Sequence, residues 1–267
     1  MIASRPIRIA ALALALASGC GDKPREPEPT PKQGTPEAVA TLRGPFTGTL
    51  PCADCSGIQT ELNLFVPRSP NSPGIYHLRQ TYLATRDGDR TFTSMGRWEE
   101  QHGVAGDPKA ILIVLDPYKS DQQKSFLQVS DDVLRLLDRS QAEAPSSKPQ
   151  QLVRSAGTNP GVSLVAGEHA STVSLKVTQE LIVQLPANRA TGYTWVLADS
   201  TGGALAWQST LYVQDSKTEL AVGVGGNEYQ RFGAVRSGVE DLQFEYRRPW
   251  EQTASPARTA SVPVAVQ

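Results

Sequence analysis

The sequence predicts an all-β protein of two small domains, a β-barrel followed by a β-sandwich. Three observations carry this. The chain holds 20 Pro and 22 Gly in 267 residues, and long stretches of helical period are scarce. Its apolar residues fall instead in short alternating runs separated by turn residues. Two polar, Pro-containing stretches then leave segments of about 100 residues, the common domain size.

Residues 1–19 read as an export signal. Arg5 and Arg8 give a positive start, and Ile9–Ala17 is an uninterrupted apolar run. That run is far shorter than the roughly 20 residues that span a bilayer. Ser18 and Gly19 precede Cys20, an arrangement that resembles a bacterial lipobox, with Ala17 where Leu is usual and Leu16 one place further back. Cleavage there would leave Cys20 as an acylated first residue, anchoring the chain to the bacterial envelope. Gly21 after the Cys, in place of Asp, points to the outer membrane. Residues 20–42, with the stretch PREPEPTPKQGTPE, lack core-forming residues and read as an extended tether.

Residues 43–139 form the expected barrel. Ile58, Thr60, Leu62 and Leu64 alternate onto one face of a strand. Further strands are expected at Tyr76–Leu83, Phe92–Glu99, Ile111–Leu115, Phe126–Val129 and Val133–Leu137, joined by turns such as RDGD. Residues 140–161 read as a linker. In 162–267, Val173, Leu175, Val177, Leu181, Val183 and Leu185 share one parity, with a turn or bulge expected near Thr178–Glu180. Trp207–Val213, the set Leu242, Phe244 and Tyr246, and the set Val262, Val264 and Val266 complete the sandwich pattern.

Function is carried by three loops of the second segment: NRATGYTW (Asn188–Trp195), GVGG (Gly223–Gly226) and RRPWE (Arg247–Glu251). Gly192, Gly223, Gly225 and Gly226 permit close backbone approach, Pro249 fixes one φ, and Trp250 offers a large flat anchor with few torsions to freeze. In order and spacing these loops resemble the chagasin family of cysteine protease inhibitors. The resemblance implies an immunoglobulin-like sandwich and a papain-like protease as partner. The protease-binding residues it implies are Asn188, Ala190, Thr191, Gly192, Tyr193, Gly223, Gly225, Gly226, Arg248, Pro249 and Trp250. Inhibition would be non-covalent, by occlusion of the active-site cleft. Arg189 and Ala190 depart from the family pattern, standing where it has Pro and Thr. Trp195 reads as core.

A second motif is LPCADCSGIQTELNLF (Leu50–Phe65), with TSMGRW (Thr93–Trp98) after it. Together they resemble the N-terminal domain of the NlpE family of envelope lipoproteins. That resemblance implies a small barrel and an alternative role in copper homeostasis or surface and envelope-stress sensing, with the second domain as a partner-binding module. Cys52 and Cys55 are open to three readings: a disulfide clamping a tight loop, a Cu(I) pair, or a redox motif. The disulfide needs least; the chain offers His77, His102 and His169 and few Met to complete a metal site. No cofactor is expected. His169 beside Glu168 has no nucleophile partner, so no enzyme activity is expected. The net charge of −1 gives no reason to expect nucleic acid, and a monomer is expected.

Overall fold

The computed structural model describes residues 40–68, 72–104, 106–143, 150–155, 161–167, 171–200, 203–216, 221, 223–251 and 253–267. The signal segment, Cys20, most of the tether, and His169 with Glu168 lie outside the described residues. The described residues from 40 onward belong to one compact unit. No α-helix occurs among them.

Eight strands close a barrel: β1 (Ala40–Leu50), β2 (Gly57–Pro67), β3 (Gly74–Thr85), β4 (Gly88–Val104), β5 (Asp107–Leu115), β6 (Lys124–Ser130), β7 (Val133–Leu136) and β8 (Gln151–Arg154). Each pairs antiparallel with the next, and β8 returns to β1 through Phe46↔Arg154 and Thr47↔Val153. The expected alternation holds: Thr60, Leu62 and Leu64 point into the barrel and are buried. With Phe46, Tyr76, Leu78, Trp98, Ile113, Leu115, Phe126, Leu134 and Leu152 they fill it. Trp98 Nε1 donates to Phe65 O at 3.3 Å, satisfying its one polar atom inside an apolar interior.

Two boundaries need correction. The segment expected to be a linker, 140–161, supplies the closing strand β8. Leu152 is wholly buried and Val153 pairs with Val133 and Thr47. Without β8, β1 and β7 would be open edges. The tether also ends sooner than expected, since β1 begins at Ala40.

The second body is a sandwich. One sheet has the order β10 (Val173–Leu175), β16 (Arg258–Val266), β15 (Gly238–Arg247), β12 (Thr194–Ser200). The other has the order β13 (Leu205–Gln214), β14 (Gly226–Ala234), β11 (Glu180–Ala187), β9 (Val162–Ala166). Between them lies one core, with Leu181, Val183, Leu185 and Phe232 facing Trp195, Leu242, Phe244, Val262 and Val264. The turn expected near Thr178 is present, with Thr178 at φ 76° and Gln179 N donating to Lys176 O. It transfers the chain from one sheet to the other, so one hydrophobic parity serves both β10 and β11.

Barrel and sandwich share a buried seam. On β2 and β3 the residues facing out of the barrel, Asn63, Phe65, Ile75 and His77, are also buried. The outer face of the second sheet covers them: Phe65 and Ile75 cluster with Val162, Ile182, Val213 and Tyr229. At the centre, His77 Nε2 lies 2.8 Å from Glu180 Oε2. Arg231 donates to the same oxygen at 3.0 Å, to the Thr93 hydroxyl, and to Ser209 Oγ at 3.1 Å. A carboxylate this buried costs free energy unless paired. Burial raises the Glu180 carboxyl, but the bond and charge of His77 and the charge of Arg231 outweigh it and hold the group below the usual carboxylate range.

Candidate functional site

All three motif loops emerge at one end of the sandwich. The first links β11 to β12, crossing from one sheet to the other. The second links β13 to β14, and the third links β15 to β16. Ladder register fixes their proximity: Ala187 at the end of β11 faces Gly226 at the start of β14, and Thr194 at the start of β12 faces Arg247 at the end of β15.

The first loop closes on itself. Asn188 precedes a 3-10 turn, Arg189–Thr191, and its side-chain oxygen accepts from Ala190 N at 3.1 Å. Thr191 N donates to Asn188 O at 3.2 Å, and the Thr191 hydroxyl donates to the same carbonyl at 2.6 Å. Gly192 takes a left-handed conformation, φ 78°, and its N–H donates to Arg189 O. Beneath the loop, Asn188 N donates to Tyr246 Oη at 2.8 Å. Tyr193 stacks on Tyr246 with centroids 5.2 Å apart. Six such ties within six residues leave a narrow bend with little freedom to lose on contact.

The third loop leans on the first. Arg248 lies over the Tyr193 ring at 4.8 Å and donates to Glu251 Oε1 at 2.9 Å. Trp250 is 69% exposed, a costly placement for so large an apolar surface unless something covers it. Its ring passes over Gly192, where an added Cβ would sit 2.9 Å from Cη2 of the indole. Gly192→Ala is therefore expected to strain the left-handed turn and displace Trp250. About 1 kcal/mol of stability should be lost in a urea titration, with a changed tryptophan fluorescence maximum. An unaltered fluorescence maximum would contradict the packing described.

In the second loop Gly223 has φ 76° and Gly225 O accepts from Asp215 N at 2.9 Å. Gly226 lies against Val213 O, so only glycine fits. Gly225 passes 3.7 Å, measured from an ideal Cβ position, from Ala187 O at the foot of the first loop. The structure thus brings together Asn188, Ala190, Thr191, Gly192, Tyr193, Gly223, Gly225, Gly226, Arg248, Pro249 and Trp250 on one edge. Trp195 is core, 5% exposed, with Nε1 donating to Pro186 O at 3.0 Å.

Sequence reasoning missed the support under this edge. Glu228 is fully buried between the sheets and accepts from Arg189 Nε at 3.2 Å, Thr194 Oγ1 at 2.8 Å and Trp195 N at 3.2 Å. Arg189 also lies over the Tyr212 ring at 4.6 Å, and Arg258 lies over the Tyr246 ring at 4.5 Å. A carboxylate on the inward parity of β14 is the signal that could have found it.

Cys52 and Cys55 form a disulfide across the loop joining β1 to β2. Among the described residues no three His, Cys, Asp or Glu side chains converge as a metal site. A sulfur pair locked as a disulfide offers no thiolate, so the residues as they stand do not fit Cu(I).

Comparison with known proteins divides the chain between residues 147 and 174, a stretch that holds β8 and β9. Residues 174–264 match the chagasin family peptidase inhibitor I42 profile, and residues 46–147 match the NlpE N-terminal domain profile. Lipoprotein NlpE of Escherichia coli is 28% identical over 131 residues, covering 49% of this chain and 48% of that protein. The chain thus spans about half the length of that relative. Amoebiasin-1 of Entamoeba histolytica is 29% identical over 106 residues, covering 40% of this chain and 100% of that protein. Among solved structures, the cysteine protease inhibitor EhICP2 of E. histolytica aligns with a TM-score of 0.33 at 17% identity, over 40% of this chain and 96% of that one. The E. coli Cpx pathway activator NlpE aligns with a TM-score of 0.27 at 21% identity, over 58% and 61%. By the two profile matches, this chain joins an NlpE N-terminal-type barrel to a chagasin-family inhibitor-type sandwich.

Proposed function

We propose that this protein is a lipid-anchored envelope inhibitor of papain-like cysteine proteases, acting by non-covalent occlusion of the active-site cleft with its three loops. One observation carries the reading: three loops, two of them with glycine and the third with Pro249 and an exposed Trp250, stand side by side at one sandwich edge. Such an edge suits a groove. Its bends are narrow, the amides of Ala190, Thr191 and Gly192 are already bonded within the first loop, and no side-chain nucleophile is required. Rigid loops that bind without rearranging lose little entropy, so contact area converts well into affinity. The chagasin-family match over 174–264 supports the same reading. The export signal, Cys20 and the NlpE match over 46–147 support placement in the envelope, with the outer membrane favoured by Gly21.

The test is a titration of papain and a cathepsin L-like enzyme with the chain from residue 21 onward. Both domains are kept, because cutting near residue 160 would bare Val162, Ile182, Val213 and Tyr229. Stoichiometric, reversible inhibition below micromolar concentration is expected. No inhibition at micromolar protein would refute the reading.

A second reading, a copper or envelope-stress sensor, rests on the likeness of the barrel to NlpE. It requires reduction of the Cys52–Cys55 bond before Cu(I) could bind. Cu(I) titration of the reduced chain against a Cys52→Ser, Cys55→Ser variant separates the two, since the inhibitory reading expects inhibition by both.

A further inference from the structure

We infer that Arg189 and Glu228 form a latch that sets the shape of the first loop, making Arg189 a positioning residue for the inhibitory edge; this rests on the inhibitory reading above. Where the family pattern has Pro, a ring would fix φ at this place. Arg189 has no such ring, and it stands at the first position of the 3-10 turn. Its guanidinium turns back from the loop to the buried carboxylate of Glu228 at 3.2 Å and lies over Tyr212 at 4.6 Å.

The geometry makes this tie consequential. Glu228 has no exposed surface, and among the described residues its other donors, Thr194 Oγ1 and Trp195 N, are uncharged, while Arg189 is the cation paired with it. A charge-assisted bond to a desolvated carboxylate is stronger than one in water, and loss of the cation leaves the charge uncompensated. Thr194 and Trp195 begin the strand into which the loop feeds. One carboxylate therefore holds both sides of the bend: Arg189 at its entry, and Thr194 and Trp195 at its exit. The latch supplies by electrostatics what a proline supplies by covalent geometry.

Three variants of the chain from residue 21 test it: Arg189→Ala, Arg189→Lys, and the double variant Arg189→Pro with Glu228→Gln. Two readouts are used, the inhibition constant against papain and the amide hydrogen exchange of Ala190, Thr191 and Gly192. Arg189→Ala should exchange these amides about tenfold faster and inhibit about tenfold more weakly. Arg189→Lys should recover part of both. The double variant removes the unpaired charge and fixes φ at residue 189, while Asn188, at φ −134° and ψ 95°, has to open its ψ by about 25° toward the range before proline, and the Arg189 N–H bond to Tyr212 is lost. It should recover part of both readouts.

Unchanged exchange in Arg189→Ala overturns the latch even if the chain inhibits no protease, so failure of the latch and failure of the inhibitory reading are told apart. Faster exchange with unchanged inhibition overturns the positioning role. A double variant that regains slow exchange but still inhibits weakly also overturns it, and makes Arg189 a direct protease contact instead.

Discussion

Trp250→Ala should weaken inhibition of papain by on the order of 100-fold, about 3 kcal/mol of binding, the scale of an aromatic interface anchor. Trp250 is mostly exposed, so its removal takes little from the folded state. Its indole lies against Gly192, and the neighbouring Arg248 is tied independently to Glu251 and Tyr193. Urea denaturation should therefore be nearly unchanged while the dissociation rate rises. If inhibition is retained within about threefold of the parent, the third loop is not part of the blocking surface. If stability falls in parallel, Trp250 is packing and not contact.

Glu180→Ala should cost about 3 kcal/mol of unfolding free energy, the scale for removing one partner from a buried ion pair. Arg231 would remain in the seam beside His77 with only hydroxyl and carbonyl partners. The double variant Glu180→Gln, Arg231→Met should recover most of the loss, because no charge is then left unpaired. The parent carries a matching pH dependence. Because the folded-state value of the Glu180 carboxyl is depressed, its contribution is fully present above the ordinary carboxylate range and is lost as pH falls through the depressed value. Unfolding at a series of acidic pH values should show this loss in the parent and a shallower one in Glu180→Ala. An equal slope in both would remove Glu180 as the cause.

The legible parts of the fold are those in which burial follows one period. Leu242, Phe244 and Tyr246 on β15, and Val262 and Val264 on β16, alternate with less buried neighbours, and the sandwich interior follows. β8 was illegible because QLVR is four residues long among Pro, Ser and Gln, and only Leu152 faces inward. β14 was missed because its inward side chains are Glu228, Gln230, Phe232 and Ala234, two of the four polar and one small. The seam was hidden for a different reason. Asn63, Phe65, Ile75 and His77 lie on the parity that a lone barrel would give to water, so their burial depends on a second body. The loop motifs were legible because glycine, proline and tryptophan mark backbone need and contact area. Glu228 was not, since an isolated acidic residue reads as surface until its strand and parity are known.

Ala40 and Leu42, the first residues of β1, pack against the cluster that joins the two bodies. The first described residues thus lie at the seam itself. Any tension arriving from upstream is delivered at once to the joint and to the ladder of β1 on β2. The loop edge is joined to the barrel through a packed apolar seam and not through a bare hinge. With the proposed anchor upstream and the proposed protease at the loops, both pulls would meet at this one joint.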